Sequence, residues 1–255
     1  MISIKTKKEI DIMRQGGKIL SSILDNVMRE VKSGISTMSL SSLAEKLINQ
    51  SGGIPSFKGY QAAWSEDAYP AALCVSINDE VVHGIPTEDK IIKTGDVVGL
   101  DCGLRYKGLY TDMAKTVIVG RTSKEIKKMV SVAKIALMSG IKEIAPGKYI
   151  SDISRAIQIE VEKNGFSVVR QLVGHGVGRS AHEEPQVPNY VSKDYPKVEL
   201  KAGMTLALEP MVNLGSYEVE TGADGWTIST VDKKPSAHFE HTVLVTDKGY
   251  EILTK

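Results

Sequence analysis

The order of elements in this sequence occurs twice, and that repetition limits what the chain can fold into. Thr6 and Glu9 form a capping pair ahead of IDIMRQGGKILSSILDNVMREV, in which Ile10, Met13, Ile19, Leu20, Ile23, Leu24, Val27 and Val31 keep helical spacing. SGIS turns the chain, and a second helix is predicted from about Ser39 to Gln50, closed by Gly52. A loop and four strand-like runs follow: ALCVSI, EVVHGI, DVVGLDCGL and AKTVIVG. The order then restarts. Thr122 and Glu125 make a second capping pair before IKKMVSVAKIALMSGIKEI, APGKYIS turns the chain, and DISRAIQIEVEKNG is a helix ending at Gly165. SVVRQLV, MTLALEP, WTISTV and FEHTVLVT again read as strands. The turn and cap glycines, Gly34 and Gly52 against Gly147 and Gly165, share an offset of 113 residues. KTGDVVGLD (93–101) aligns with KAGMTLALE (201–209) at an offset of 108. Chance recurrence in an ordinary α+β chain would have to supply all these landmarks in order. The pattern predicts an internal duplication: an α+β fold of two pseudo-symmetric α-α-β halves, about 1–120 and 121–255, packed as a single domain over 1–255.

Duplication pairs carboxylates. Asp101 and Glu209 end the matching strand runs. Strand alternation puts Val97, Gly99 and Asp101 on one face, and likewise Thr205, Ala207 and Glu209. Either acid alone is compatible with a surface position at a strand end; two at equivalent places would meet near a pseudo-twofold axis. Asp112 opens DMAKTVIVG and Glu240 opens EHTVLVT, so each half offers two acids. Four carboxylates in one pocket need about four positive charges, and two divalent cations supply them. Carboxylates with an imidazole suit Mn, Fe(II), Co or Zn.

LVGHGVGRSAHEEP (172–185) supplies that imidazole: His175, flanked by Gly174, Gly176 and Gly178, is a candidate fifth protein ligand. The glycines are expected to let the backbone come close to the metals. A phosphate loop is the other use of such glycines, but Arg179 occupies the last position of a GxGxxG. His182, seven residues on, is expected to face substrate as a hydrogen-bond donor. His83, in EVVHGIP, is either a core histidine of a hairpin strand or part of the same site. There is no HExxH, CxxC or GxSxG.

The remaining composition is ordinary. The chain is 42% hydrophobic and 25% charged, and its net charge of +1 predicts neither a specific nucleic acid nor a membrane as partner. Lys5, Lys7, Lys8 and Glu9 stand where a signal peptide needs apolar residues, and no apolar run approaches a membrane span. Cys74 and Cys102 are the two cysteines and read as reduced core thiols, which with the missing signal predicts a cytoplasmic protein.

EVVHGIP, GLDCGLRYKGLYTDMAKTVIVG, VGHGVGRSAHEEPQVPNY, MTLALEPMVN, DGWT and HFEHTVLVT together resemble the type I methionine aminopeptidases of bacteria, and the resemblance spans nearly the whole chain. It implies the pita-bread fold, helices over a curved antiparallel sheet around a dinuclear metal centre, and removal of the initiator methionine from new polypeptides ahead of a small second residue. It implies Asp101, Asp112, His175, Glu209 and Glu240 as ligands of two divalent metal ions, with Asp112 and Glu240 bridging. Glu209 would also shuttle a proton from the metal-activated water, His182 would stabilise the carbonyl oxygen, and His83 would meet the departing amide nitrogen. Tyr60, Tyr69, Cys74 and Trp226 would line the methionine pocket, with plain core as the other reading of Trp226. Ser236 would lend a carbonyl to a monovalent cation. Nascent N-termini are the implied partner, with transient ribosome contact and a monomeric enzyme as further expectations.

Two features depart from the family pattern. GYQAAWSEDAYP (59–70) is longer than the usual pocket loop, and Ala181 stands where many relatives carry an aromatic, so a pocket wall is expected from Phe57 or Trp64. The rival readings are a prolidase-like enzyme cleaving next to proline and a pita-bread protein that binds without metals. The first carries an added N-terminal domain and the second loses ligands; the chain shows neither sign.

Overall fold

The first turn of the first helix forms as its sequence requires. The Thr6 hydroxyl accepts from the Glu9 N–H, and the Glu9 carboxylate accepts from the Thr6 N–H at 2.7 Å. The computed structural model describes residues 2–255. Helices α1 (Lys7–Arg29) and α2 (Thr37–Gln50) lead into β1 (Ile54–Pro55), β2 (Cys74–Ile77), β3 (Glu80–Val82), β4 (Val97–Tyr106) and β5 (Leu109–Ile118). Helices α3 (Lys124–Lys142) and α4 (Ile150–Glu162) then lead into β6 (Ser167–Val168), β7 (Gly174–Gly176), β8 (Glu183–Val187) and β9 (Thr205–Leu208). The chain closes with β10 (Met211–Asn213), β11 (Val219–Thr221), β12 (Ile228–Thr230), β13 (Ser236–His238), β14 (His241–Thr246) and β15 (Gly249–Ile252).

All strand pairs are antiparallel. One sheet has the order β1-β4-β2 with β5 on the other side of the β4 hairpin, and a second runs β15-β14-β9-β7-β8. Two three-stranded sheets, β13-β10-β6 and β11-β12-β3, complete the set. Each helix pair buries one apolar stripe on its own sheet. Leu20, Leu24, Val27, Leu40 and Ile48 meet Val75, Val98, Leu100 and Met113, while Met129, Leu137, Ile153 and Ile157 meet Leu206, Leu208, Val243 and Val245. The three aligned glycine pairs, Gly34/Gly147, Gly52/Gly165 and Gly95/Gly203, all turn the chain with positive φ.

The second capping pair differs from expectation. Ser123, one residue after Thr122, is the cap of α3, and its hydroxyl accepts from the Ile126 N–H at 3.1 Å. The third helical residue counted from Ser123 is an isoleucine, so no reciprocal box forms.

The two sheets meet along β5 and the segment 238–242. Thr242 Oγ1 accepts from the Asp112 N–H and donates to the Asp112 carbonyl, both at 2.8 Å. Glu240 N–H donates to the Ala114 carbonyl at 2.9 Å, and Thr116 Oγ1 donates to the His238 carbonyl at 2.7 Å. This seam fixes the register of one half against the other, which positions everything below.

Candidate metal centre

Strand register explains why distant acids converge. Across the second sheet, His175 of β7 pairs with Ala207 of β9 and Ala207 with Thr242 of β14; Thr242 then holds Asp112 through the seam. A parallel row two residues over runs from Glu240 through Ala114 and Asp101 to Cys74. Alternation keeps each row on one face. Asp101 therefore lies mid-strand in β4 and Asp112 mid-strand in β5, where ends had been expected, because β4 and β5 each continue past the acid for several paired residues. Glu209 follows directly on β9, and its backbone carbonyl is tied by Asn189 Nδ2 at 3.1 Å.

All eleven site residues named from sequence line one cavity of about 570 Å³: Asp101, Asp112, His175, Glu209, Glu240, His83, His182, Tyr60, Tyr69, Cys74 and Trp226. Asp112, His175 and Glu240 bring donor atoms within 4.8 Å of one another. Glu209 Oε1 adds itself at 3.5 Å from His175 Nε2. Burial first, and then the neighbouring Asp112 carboxylate, raise the pKa of Asp101. Tyr69, Cys74 and Trp226 form an apolar floor with Ala62 and Ala71. The Trp226 indole donates to the Asp67 carbonyl at 3.0 Å, and the Tyr69 hydroxyl donates to the Gly84 carbonyl at 2.9 Å.

The donor set fits divalent metal. Asp112 and Glu240 are buried, and Asp101 Oδ1 and Glu240 Oε1 are enclosed oxygens without a hydrogen-bond partner. Among the described residues no lysine or arginine pairs with any of the four acids; Glu209 faces only histidines. Unpaired buried carboxylates are costly, and here the cost appears as proton retention. Burial raises all four, and Asp112, the neighbour common to the other three, is itself pushed up to about 7. Burial also pulls His175 down to about 3, so its imidazole is neutral, the form that binds metal. The 2.8 Å contact of its Nδ1 with the Gly176 carbonyl makes Nδ1 the donor and leaves the Nε2 lone pair facing the acids.

Two of the glycines around His175 are required by the packing of the strands themselves. A Cβ at Gly174 would lie 2.4 Å from the Ala207 carbonyl oxygen, and one at Gly176 would lie 2.3 Å from the Glu184 carbonyl oxygen. Bare backbone here lets β7 sit tightly between β8 and β9.

The outer residues also find their places. His182 stands exposed at the cavity mouth, its ring 4.4 Å from that of His175 and 5.0 Å from that of Tyr60, and the crowding walls still pull its pKa down. His83 lies just beyond β3 with φ 58°, outside the hairpin strand expected to carry it. Burial lowers His83 to about 4, and its ring stacks on Trp64 at 6.3 Å. Phe57 and Trp64 both line the cavity, whereas Ala181 and Ser236 do not. His238 had been given no role from sequence. It is buried, its Nε2 has no hydrogen-bond partner, and that atom lies 3.9 Å from Glu209 Oε2. The available signal was parity, since His238 and Glu240 share a face.

A family profile decides the relationship: that of metallopeptidase family M24 matches residues 11–247. The chain belongs to metallopeptidase family M24. Within it, methionine aminopeptidase 1 of Bacillus subtilis is 46% identical over 255 residues, covering 100% of both chains. The methionine aminopeptidase of Escherichia coli is 41% identical, covering 99% of this chain and 94% of that one. A crystal structure of methionine aminopeptidase from Thermotoga maritima superposes over the full length of both chains with a TM-score of 0.95 at 45% identity. The prolidase of Pyrococcus furiosus shares the fold at a TM-score of 0.76 and 22% identity, with 65% of its chain covered. The M24 chain thus has the pita-bread fold, and no helix among its described residues is long and apolar enough to cross a membrane.

Proposed function

We propose that this M24 chain is a methionine aminopeptidase, a metal-dependent hydrolase that removes the initiator methionine from newly made polypeptides ahead of a small second residue. The observation that carries this reading is the meeting of four carboxylates and a neutral imidazole in one cavity that contains no protein cation. Asp101, Asp112, His175, Glu209 and Glu240 would hold two divalent ions, Asp112 and Glu240 as the shared pair. Bound there, the ions supply Lewis acidity and a water acidic enough to attack at neutral pH.

The protein's own groups do the rest. The apolar floor of Tyr69, Cys74 and Trp226, with Tyr60 at the rim, receives the methionine side chain. Glu209, facing His175 and His238, accepts the proton of the attacking water and returns it to the leaving amine. His182 donates to the carbonyl oxygen as negative charge develops on it. His83 steers the amide nitrogen of the departing peptide. The reading extends to nascent N-termini as partners, transient ribosome contact, a monomer in the cytoplasm, and a monovalent cation at the Ser236 carbonyl.

The test is chelation followed by addition of Mn, Co, Fe(II) or Zn. Methionine release from Met-Ala-Ser should return with metal, Met-Leu-Ser should be cut far more slowly, and a Xaa-Pro dipeptide should not be cut. Cleavage of the proline substrate alone would make it a prolidase, and a folded protein inert with every metal would make it a binding module.

Trp64 is the wall that compensates for Ala181. It is 60% exposed, yet it packs on His83 at 6.3 Å and Trp226 at 6.0 Å. Half-burying an aromatic ring against substrate contributes about 1.4 kcal/mol, or roughly tenfold in affinity. Trp64→Ala is therefore expected to raise KM for Met-Ala-Ser about tenfold with kcat nearly unchanged, as steady-state kinetics would show.

A further inference from the structure

The turn that carries His182 is held from outside the site, by the segment ahead of α1. Lys5 is buried there. Its backbone N–H donates to the Gly203 carbonyl at 2.8 Å, and its ammonium, 1% exposed, pairs with Glu183 Oε2 at 2.5 Å. The other oxygen, Glu183 Oε1, accepts the N–H of Ser180 at 2.9 Å and also that of Arg179. Arg179 in turn reaches Glu9 at 2.7 Å and the Ile4 carbonyl at 3.3 Å. A Cβ on Gly178 would fall 2.3 Å from Lys5 Cε, so the lysine stem fills the space a side chain would need. Glu183 thus ties both ends of the 179–183 turn, and Lys5 fixes Glu183 to the far side of the fold.

His182 sits inside this turn and needs that support. Its ring lies 4.4 Å from that of His175 and 5.0 Å from that of Tyr60, and among the described residues its side chain has no hydrogen-bond partner to set its direction. Its aim is inherited from the backbone of the turn.

We propose that Lys5 and Glu183 are positioning residues for His182, an N-terminal strap that aims the imidazole at the substrate carbonyl; this rests on the catalytic role given to His182 above. A group displaced by about 1 Å from its working position loses up to two orders of magnitude in rate, and a slackened turn samples such positions only part of the time. Cutting the strap should therefore lower kcat about tenfold with KM and metal content unchanged.

The test uses the metal-loaded full chain with Lys5→Met and, to avoid stranding a buried charge, the paired variant Lys5→Met/Glu183→Gln, whose amide oxygen still accepts from the turn. Each is made with and without His182→Ala. The expected result is a tenfold loss of kcat in the His182 background and no further loss in the His182→Ala background. Equal loss in both backgrounds would overturn the proposal, because the strap would then act on the fold as a whole. A ring NMR spectrum separates this from failure of the catalytic assignment: the strap variants should shift the His182 resonances and leave those of His241 in place. Unmoved His182 signals would refute the strap whatever the kinetics of His182→Ala.

Discussion

Glu240→Ala should abolish metal-dependent hydrolysis and leave a folded protein. Glu240 is 2% exposed and its Oε1 has no partner, so its carboxylate holds no part of the polypeptide together. What ties this position to the rest is backbone: its N–H on the Ala114 carbonyl at 2.9 Å, which alanine retains. Without metal the carboxylate is a liability, since burial and the neighbouring Asp112 and Glu209 raise its pKa and resist its charge. The substitution is therefore expected to leave the melting temperature of the chelated protein unchanged or higher. In its proposed role as a ligand shared by two ions, Glu240 supplies several kcal/mol of transition-state stabilisation; at 1.36 kcal/mol per decade its removal is expected to lower activity about 10³-fold or more. Metal analysis of the dialysed variant should find fewer than two ions per chain. Full activity would sink the ligand assignment.

His182→Ala should separate turnover from metal content. The histidine is exposed at the mouth and its side chain has no hydrogen-bond partner among the described residues, so its removal is expected to cost little stability. In its proposed role as donor to a developing oxyanion it is worth about 10²–10³ in kcat. The expected outcome is a fall of that size with both ions retained and KM little altered. Metal loss in step with activity would move His182 into the ligand set.

Much of this was legible in the sequence because the chemistry constrains residue type. Charges in apolar strands, such as Asp101 in VVGLDCGL, stand out against their surroundings, and Thr6 with Glu9 satisfied a local hydrogen-bonding rule that operates over four residues. The illegible parts depend on partners far along the chain. GHG falls outside the strand-like runs because glycine has low strand propensity, yet it is β7, held by close backbone contact with β8 and β9 that no local window contains. The length of β4 and β5 was hidden by Arg105, Tyr106 and Lys107 at a hairpin tip, where Arg105 and Tyr106 continue the pairing and Lys107 with Gly108 makes the turn. Thr122 and Ser123 are adjacent residues of the same capping type, and it is the Ser123 hydroxyl that accepts from the Ile126 N–H. Lys5 counts in the sequence only as one of several N-terminal charges, because its partner Glu183 lies 178 residues away.

The aromatic floor and rim have a use apart from recognition. The chain has two tryptophans, Trp64 and Trp226, and both line the one cavity, 6.0 Å apart. Its indole emission therefore originates wholly at this cavity. A methionine side chain entering between them would change colour and intensity together, so the unlabelled protein is its own optical probe of occupancy.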